Sequence, residues 1–409
     1  MTYDVLGRMT TRTDSAGTAQ WVYDLYTPGG WATKGTLSAM VGAPDPNLKG
    51  ACTIPNTTQT SGNRAGRSYI YTQFGELVGV DECVDGETFS TTYQYDDTHG
   101  RQSGVTYPQV SGTSFAVTYN YTSLGFLQSV TDASDNKVYW AAKATNAAGQ
   151  VIDEFTRNGV ETVSTRNPST GWLLGATTTA VADNNTVIQQ WNNTFDEAGN
   201  LRSRSRSQPA NMADSTETFE YDILDRVTSS TVASESYQAT EGFDYDYVGN
   251  LTQKGQKSLA YTGCAAGGGP HTICSVDGGS GYSYDLNGNM VAGNSRSVSY
   301  NAANKVVHIQ GQPATGDGPL PTVDFAYGAD RLRVVQSVGT KATATSDPVE
   351  SARTVYVGMG GTGKTIYERT QKTLADGSSS TEHVQFIYAA SAHGGNAFAL
   401  RVSSTTTQP

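Results

Sequence analysis

One short unit recurs along this chain and limits what it can fold into. The unit is an aromatic residue, then Asp, Asn or Thr, two variable residues, Gly, one residue and an apolar residue. It reads YDVLGRM from Tyr3, YTQFGEL from Tyr71, YTSLGFL from Tyr121, FDEAGNL from Phe195, YDILDRV from Tyr221 and YDYVGNL from Tyr245. It continues as YDLNGNM from Tyr284 and YNAANKV from Tyr300, with looser copies at Tyr95, Thr145 and Tyr327 and a degenerate one, RNPSTGWL, from Arg166. Tyr71, Tyr95, Tyr121 and Thr145 stand 24, 26 and 24 residues apart, and Phe195, Tyr221 and Tyr245 stand 26 and 24 apart. A fixed beat of this length marks an array of one supersecondary unit.

The unit has a mechanical meaning. Asp or Asn at a first turn position hydrogen-bonds backbone two residues on, and Gly three residues later accepts a positive φ. Together they predict a hairpin corner with a bulge at the Gly, across which the aromatic and the apolar residue meet. Such a beat leaves room for two to three strands of about five to six residues. The flanks alternate as half-buried strands do, for example Ser114-Phe115-Ala116-Val117-Thr118-Tyr119. No convincing amphipathic helix of ten or more residues is present. The expected fold is all-β, a stack of hairpins occupying residues 1–404 as one region. Surface loops are expected near 42–66, 263–281 and 310–321, where Gly and Pro accumulate, and residues 405–409 read as a frayed tail.

Composition narrows the function classes. With 27 basic and 38 acidic residues among 409, the net charge of −11 argues against a nucleic-acid binder or a polybasic membrane-surface protein. Charged residues at 16% and 23 Tyr argue against disorder. No run of about 18 apolar residues suggests a membrane span, and the first residues lack the layout of a secretory signal. Four Cys are too few and scattered for a disulfide scaffold; Cys264 and Cys274 either pair across a Gly-rich loop or remain free buried thiols.

The YDxxGR and YDxxGN units on a beat of about 25 residues resemble the RHS/YD-repeat family. That family includes bacterial polymorphic-toxin shells, the C-component of insecticidal toxin complexes and the YD shell of teneurins. The resemblance covers nearly the whole chain. It implies a β-spiral closing into a hollow cocoon, without enzymatic activity, that houses a C-terminal toxin or effector. Alternatively, it implies a secreted or cell-surface module that contacts glycans or a neighbouring cell. Family members continue into a Tyr-x-His-x-Asp-x-Leu-Gly-Ser segment and an Asp-Pro-x-Gly core motif, neither of which occurs here. The shell is therefore expected to be truncated and open, and no cleavage chemistry is carried over.

Rival motifs were weighed on their chemistry. Residues 358–365, GMGGTGKT, fit the phosphate-cradling P-loop, in which Lys364 would reach phosphates and Thr365 a Mg²⁺ ion. A P-loop must open a helix, and Ile366-Tyr367-Glu368-Arg369-Thr370 reads as a strand. Arg202, Arg204 and Arg206 alternate on one strand face, either solvated or an anion patch. Trp31, Trp172 and Trp191 would have to lie exposed on the outer face of a glycan-binding module. His99, His271, His308, His383 and His393 show no ligand spacing. The Asp residues of the YD units read as turn formers. No catalytic, cofactor-binding or metal-binding residue is assigned.

Overall fold

The computed structural model describes residues 1–25, 34–207, 213–313, 316–358, 364–374, 376–388, 397 and 399–407. Thirty-two β-strands and no helix occur among them, and the pairings between named strands are antiparallel. The chain divides into two compact units. One comprises Met1–Tyr119, Asp132–Ser134 and Ser295–Pro409; the other comprises Asn120–Thr131 and Asp135–Asn294. The all-β expectation holds. The strand Ala399–Thr407 pairs along its length with Ser379–Ile387, so Thr405 to Thr407 continue the ladder where composition suggests a tail.

Each beat is two strands, a YD corner at one end and a tight turn at the other. Leu77–Val84 and Glu87–Tyr95 make one such pair, turned by Asp85 and Gly86 with φ of 55° and 80°. Two longer strands thus replace the two to three short ones that the spacing allows.

The corners follow the predicted chemistry. In the first, Gly7 N–H donates to Asp4 C=O at 3.0 Å and Asp4 N–H to Arg8 C=O at 2.9 Å. The Asp4 carboxylate accepts from the Leu6 and Arg8 amides, both at 2.9 Å. The pattern repeats at Asp222, Asp246 and Asp285. The degenerate copy at the missing beat is also a corner: Asn167 N–H donates to Trp172 C=O, and Gly171 N–H to Asn167 C=O. The positive-φ position is held by Gly in most copies, but by Asp225, Asn304 and Arg331 in three. Tyr71 lies opposite Leu77, Tyr221 opposite Val227 and Tyr245 opposite Leu251, as the unit requires. The one register break in each of these pairings lies just before the tyrosine, between Ile70 and Tyr71, Glu220 and Tyr221, and Asp244 and Tyr245, and not at the Gly.

A corner absent from the sequence reading lies at Tyr23. Tyr23 pairs with Leu37, Asp24 N–H donates to Thr36 C=O, and Gly35 N–H donates to the Asp24 carboxylate at 2.5 Å. It is a YD corner enlarged by an insertion, which removes it from the Tyr-Asp-x-x-Gly spacing.

Tyrosine hydroxyls connect successive corners. Tyr71 donates to Leu37 C=O, Tyr95 to Leu77, Tyr221 to Leu201, Tyr245 to Val227 and Tyr327 to Val306, all at 2.7–2.9 Å. Each acceptor belongs to the residue that closes the preceding corner. Arginine adds a second link. Arg8 binds its own Asp4 and the next corner's Asp24, and lies 4.4 Å over Tyr23; Arg226 lies 4.4 Å over Tyr245. The Tyr261 hydroxyl donates to Leu251 C=O in the same way as the other tyrosines, at 3.0 Å. A buried hydrogen bond contributes about 1 kcal/mol net, so Tyr245→Phe is expected to lower the unfolding free energy by about that amount, and the Tyr221, Tyr245 and Tyr261 triple Phe variant by about 3 kcal/mol. Urea denaturation of the two variants measures this; a triple variant as stable as the parent would refute it.

Packing differs between the units. In the first, strand Glu87–Tyr95 buries Phe89, Thr91 and Tyr93 and exposes the residues between them. Strand Thr113–Tyr121 buries Phe115, Val117 and Tyr119 in the same rhythm. The segment 42–66 is anchored at several points: Leu48, Cys52, Ile54 and Arg64 are buried, while Pro55, Asn56, Ser61 and Gly62 are exposed. Cys52 is disulfide-bonded to Cys83, with Cα atoms 5.7 Å apart, and packs with Ala39, Val41 and Ile54. In the second unit, Cys264 and Cys274 are also bonded. The second bond takes the paired alternative for Cys264 and Cys274, and the first was not anticipated, because its partners are 31 residues apart and give no local signal. Strand faces in the second unit are covered thinly. Thr186–Phe195 and Gln238–Tyr245 hold no fully buried residue, and all six residues of Val151–Thr156 are half-buried.

Candidate functional site

Within the first unit, the early strands face the late ones across a seam of charges and aromatics. Arg67 and Glu82 are directly opposed on neighbouring strands and are 3% and 2% exposed. Arg67 NH2 donates to Glu82 Oε1 at 2.7 Å, its NH1 meets Asp330, and Gly358 N–H donates to Glu82 Oε2 at 2.9 Å. Burial works against the Arg67 charge, but Glu82 and Asp330 hold its pKa above the ordinary arginine value. Arg353 binds Asp85 through Nε at 2.6 Å and NH2 at 2.7 Å, and NH2 also donates to Asn47 C=O. Lys49 meets Glu350 at 2.7 Å, and Arg369 meets Glu87. Tyr107 donates to Phe386 C=O at 2.9 Å, while Phe89 and Tyr367 place their ring centres 5.6 Å apart. Burial pushes the Tyr367 hydroxyl up to about 12. None of these groups is an unpaired nucleophile or base; the seam ties residues 263 to 306 positions apart.

The corner carboxylates are the other electrostatic feature. Side-chain bonding from Arg8 holds Asp24 at about 2, and the Arg8 amide leads in lowering Asp4. Hydrogen bonds from Arg226 lower Asp222, and those from Asn289 lower Asp285. At Asp96, Asp196 and Asp246 desolvation opposes the shift, but bonds from Arg101, Asn200 and Asn250 outweigh it. A carboxyl whose folded pKa is depressed contributes stability above its unfolded pKa and loses it as pH falls through the folded one. The melting temperature is therefore expected to fall steeply between about pH 4 and about pH 2 as many corners protonate together. Buried Asp45, whose pKa is raised by desolvation, works in the opposite direction. Calorimetry across that range checks the prediction, and a flat profile would contradict it.

The rival motifs resolve as follows. Strands Val349–Gly358 and Thr365–Thr373 pair antiparallel with Gly358 opposite Thr365, so Lys364 enters a strand and not a helix. Residues 359–363 of the P-loop match lie outside the described residues. Thr365 C=O accepts the Tyr388 hydroxyl at 2.8 Å, the same link that closes the YD corners. Arg202 and Arg204 pair with Glu220 and Glu217, and Arg204 and Arg206 stack on Trp191, which makes the run a cross-strand charge ladder. Trp172 and Trp191 are half-buried, Trp172 against Phe195; Trp31 lies outside the described residues.

The histidines scatter. His99 bonds within its turn to Asp96, His271 ties the Gly-rich loop to Asn250, and His383 meets the Tyr367 hydroxyl. His308 pairs with Asp324, an association that spacing does not reveal. His393 lies outside the described residues. Among the described residues, no group of three or more His, Cys, Asp or Glu could hold a metal, and no helix is long and apolar enough to cross a membrane.

No family model matches the sequence, and no curated protein is detectably similar to it. Solved structures are similar in fold. The crystal structure of TcdB2-TccC3 without its hypervariable C-terminal region aligns over 98% of this chain and 22% of that one, at 14% identity and a TM-score of 0.59. The crystal structure of TcdB2-TccC3-Cdc42 aligns over 93% and 18%, at 13% identity and a TM-score of 0.51. The chain thus spans about a fifth of the length of these structures. A Photorhabdus luminescens Tc holotoxin pore containing TccC3 aligns over 94% and 22%, at 14% identity and a TM-score of 0.45. The class defined is an antiparallel array of YD-cornered hairpins with the fold of Tc toxin components.

Proposed function

We propose that the chain is a non-enzymatic structural segment of an RHS/YD-type shell, whose wall encloses a C-terminal toxin or effector polypeptide. The carrying observation is the second unit. Its strands are held sideways by backbone ladders, tyrosine hydroxyls and arginine links, while Thr186–Phe195 and Gln238–Tyr245 fully bury no residue on either face, exposed positions alternating with half-buried ones along the first. A sheet normally buries one face in a core. One that buries neither is built as a wall between two wet spaces. The seam in the first unit supplies rigidity, and the likeness in fold to TcdB2-TccC3 supports the reading. Two disulfides suit an oxidising, extracellular setting.

The test is cargo protection. A disordered, protease-sensitive reporter peptide is fused after Pro409 and compared with the same peptide on an unrelated monomeric β-protein. Enclosure predicts markedly slower cleavage in the first fusion, with protection lost in the Tyr221, Tyr245 and Tyr261 triple Phe variant. Equal rates in the two fusions would overturn the reading.

A further inference from the structure

A cleft of about 410 Å³ in the first unit borders the seam and shares Asn47, Lys49, Glu350 and Arg353 with it. Its floor is a row of side chains on one face of four neighbouring strands. Register places His308 opposite Asp324, Asp324 opposite Ser337 and Ser337 opposite Arg353. Asn47 and Lys49 border it, and Asn47 is pinned by its side-chain amide to Val307 and Phe325 C=O at 3.2 and 2.8 Å.

Among the charged groups that line the cleft, each but Lys341 has a partner. Asp324 is engaged by His308 at 2.6 Å. Glu350 is engaged by Lys49, by Ser337 at 2.7 Å and by Arg353 at 3.2 Å. Arg353 is satisfied by Asp85. Lys341 also lines the cleft, yet it forms no ion pair among the described residues. The Thr322 hydroxyl, in the same lining, is buried without a hydrogen-bond partner. With the His308 Nδ1–H donated to Asp324, Nε2 is the ring nitrogen left for a ligand. Lys341 stands four residues along the strand from Ser337, two strands from His308, so their backbones are about 16 Å apart on ordinary strand spacings.

We propose that this cleft binds an elongated carboxylate, its acid group on Lys341 and a hydroxyl or amide on His308 Nε2. The carboxylate comes from a free organic acid or from an acidic residue of a short peptide. This inference stands independently of the enclosing role.

Titration calorimetry on the intact chain tests it with N-acetyl-γ-aminobutyrate, N-acetyl-ε-aminocaproate and the peptide N-acetyl-Gly-Gly-Asp-amide, each beside its amide counterpart. Saturable binding of an acid but not of its amide is expected. Preference for the peptide assigns a polypeptide source, and preference for either N-acetyl amino acid a free organic acid source. Lys341→Met is expected to weaken binding about tenfold or more, the loss of one charge-assisted hydrogen bond, whereas Lys341→Arg retains it. His308→Phe weakens it further and also lowers the melting temperature, because Asp324 loses its partner, so affinity is read on protein shown to be folded. Equal binding of acid and amide, no saturable binding at millimolar concentration, or full affinity in a folded Lys341→Met protein would each overturn the proposal.

Discussion

Arg67→Met lowers the stability of the first unit by about 3–5 kcal/mol, the usual cost of removing one partner from a buried ion pair. Glu82 is left 2% exposed with the Gly358 N–H still donating to it, and Asp330 loses its guanidinium. A buried carboxylate without a counter-charge is more expensive than the hydrogen bonds it keeps. The double variant Arg67→Met with Glu82→Leu recovers most of the loss, because a buried pair replaced by apolar groups of similar volume is close to neutral. Chemical denaturation of the two variants separates the effects. A single variant as stable as the parent would show that the pair is solvated, and a double variant as unstable as the single would show that the destabilisation lies in packing.

Removing the Cys52–Cys83 bond costs about 3–4 kcal/mol, from the loop-closure entropy of its 31-residue separation. Cys264–Cys274 closes a 10-residue separation and costs less, about 2.5–3 kcal/mol by the same relation. The first bond also fixes the segment that carries Lys49 and the strand that leads to Asp85, both of which hold the late strands. Cys52→Ala with Cys83→Ala is therefore expected to lower the melting temperature more than Cys264→Ala with Cys274→Ala. The reverse order, measured by calorimetry in non-reducing buffer, would contradict the loop argument.

What the sequence discloses is set by the range of the interaction. The corners are legible because their chemistry is local: Asp4, Gly7 and Arg8 satisfy one another within five residues. The P-loop match could be discounted because the residues after Lys364 alternate as a strand. The tyrosine links were not read, although the signal was present: a hydroxyl recurring on a beat needs a recurring acceptor, and the preceding corner supplies one. The Tyr23 corner was missed because an insertion separates Asp24 from Gly35. Arg67 with Glu82, Arg353 with Asp85 and Cys52 with Cys83 have no local signature, since their partners meet only once the strands are stacked.

Amide hydrogen exchange at the corners tests the stacked-hairpin architecture most directly. The Asp222 and Asp246 amides donate to Arg226 and Asn250, and the adjoining Val227 carbonyl accepts Tyr245. Peptides spanning Tyr221–Val227 and Tyr245–Leu251 should exchange with the slow, cooperative kinetics of the flanking strands and should speed up together in Tyr245→Phe. Exchange at the rate of open loops, unaltered by that substitution, would contradict the architecture and the wall built on it.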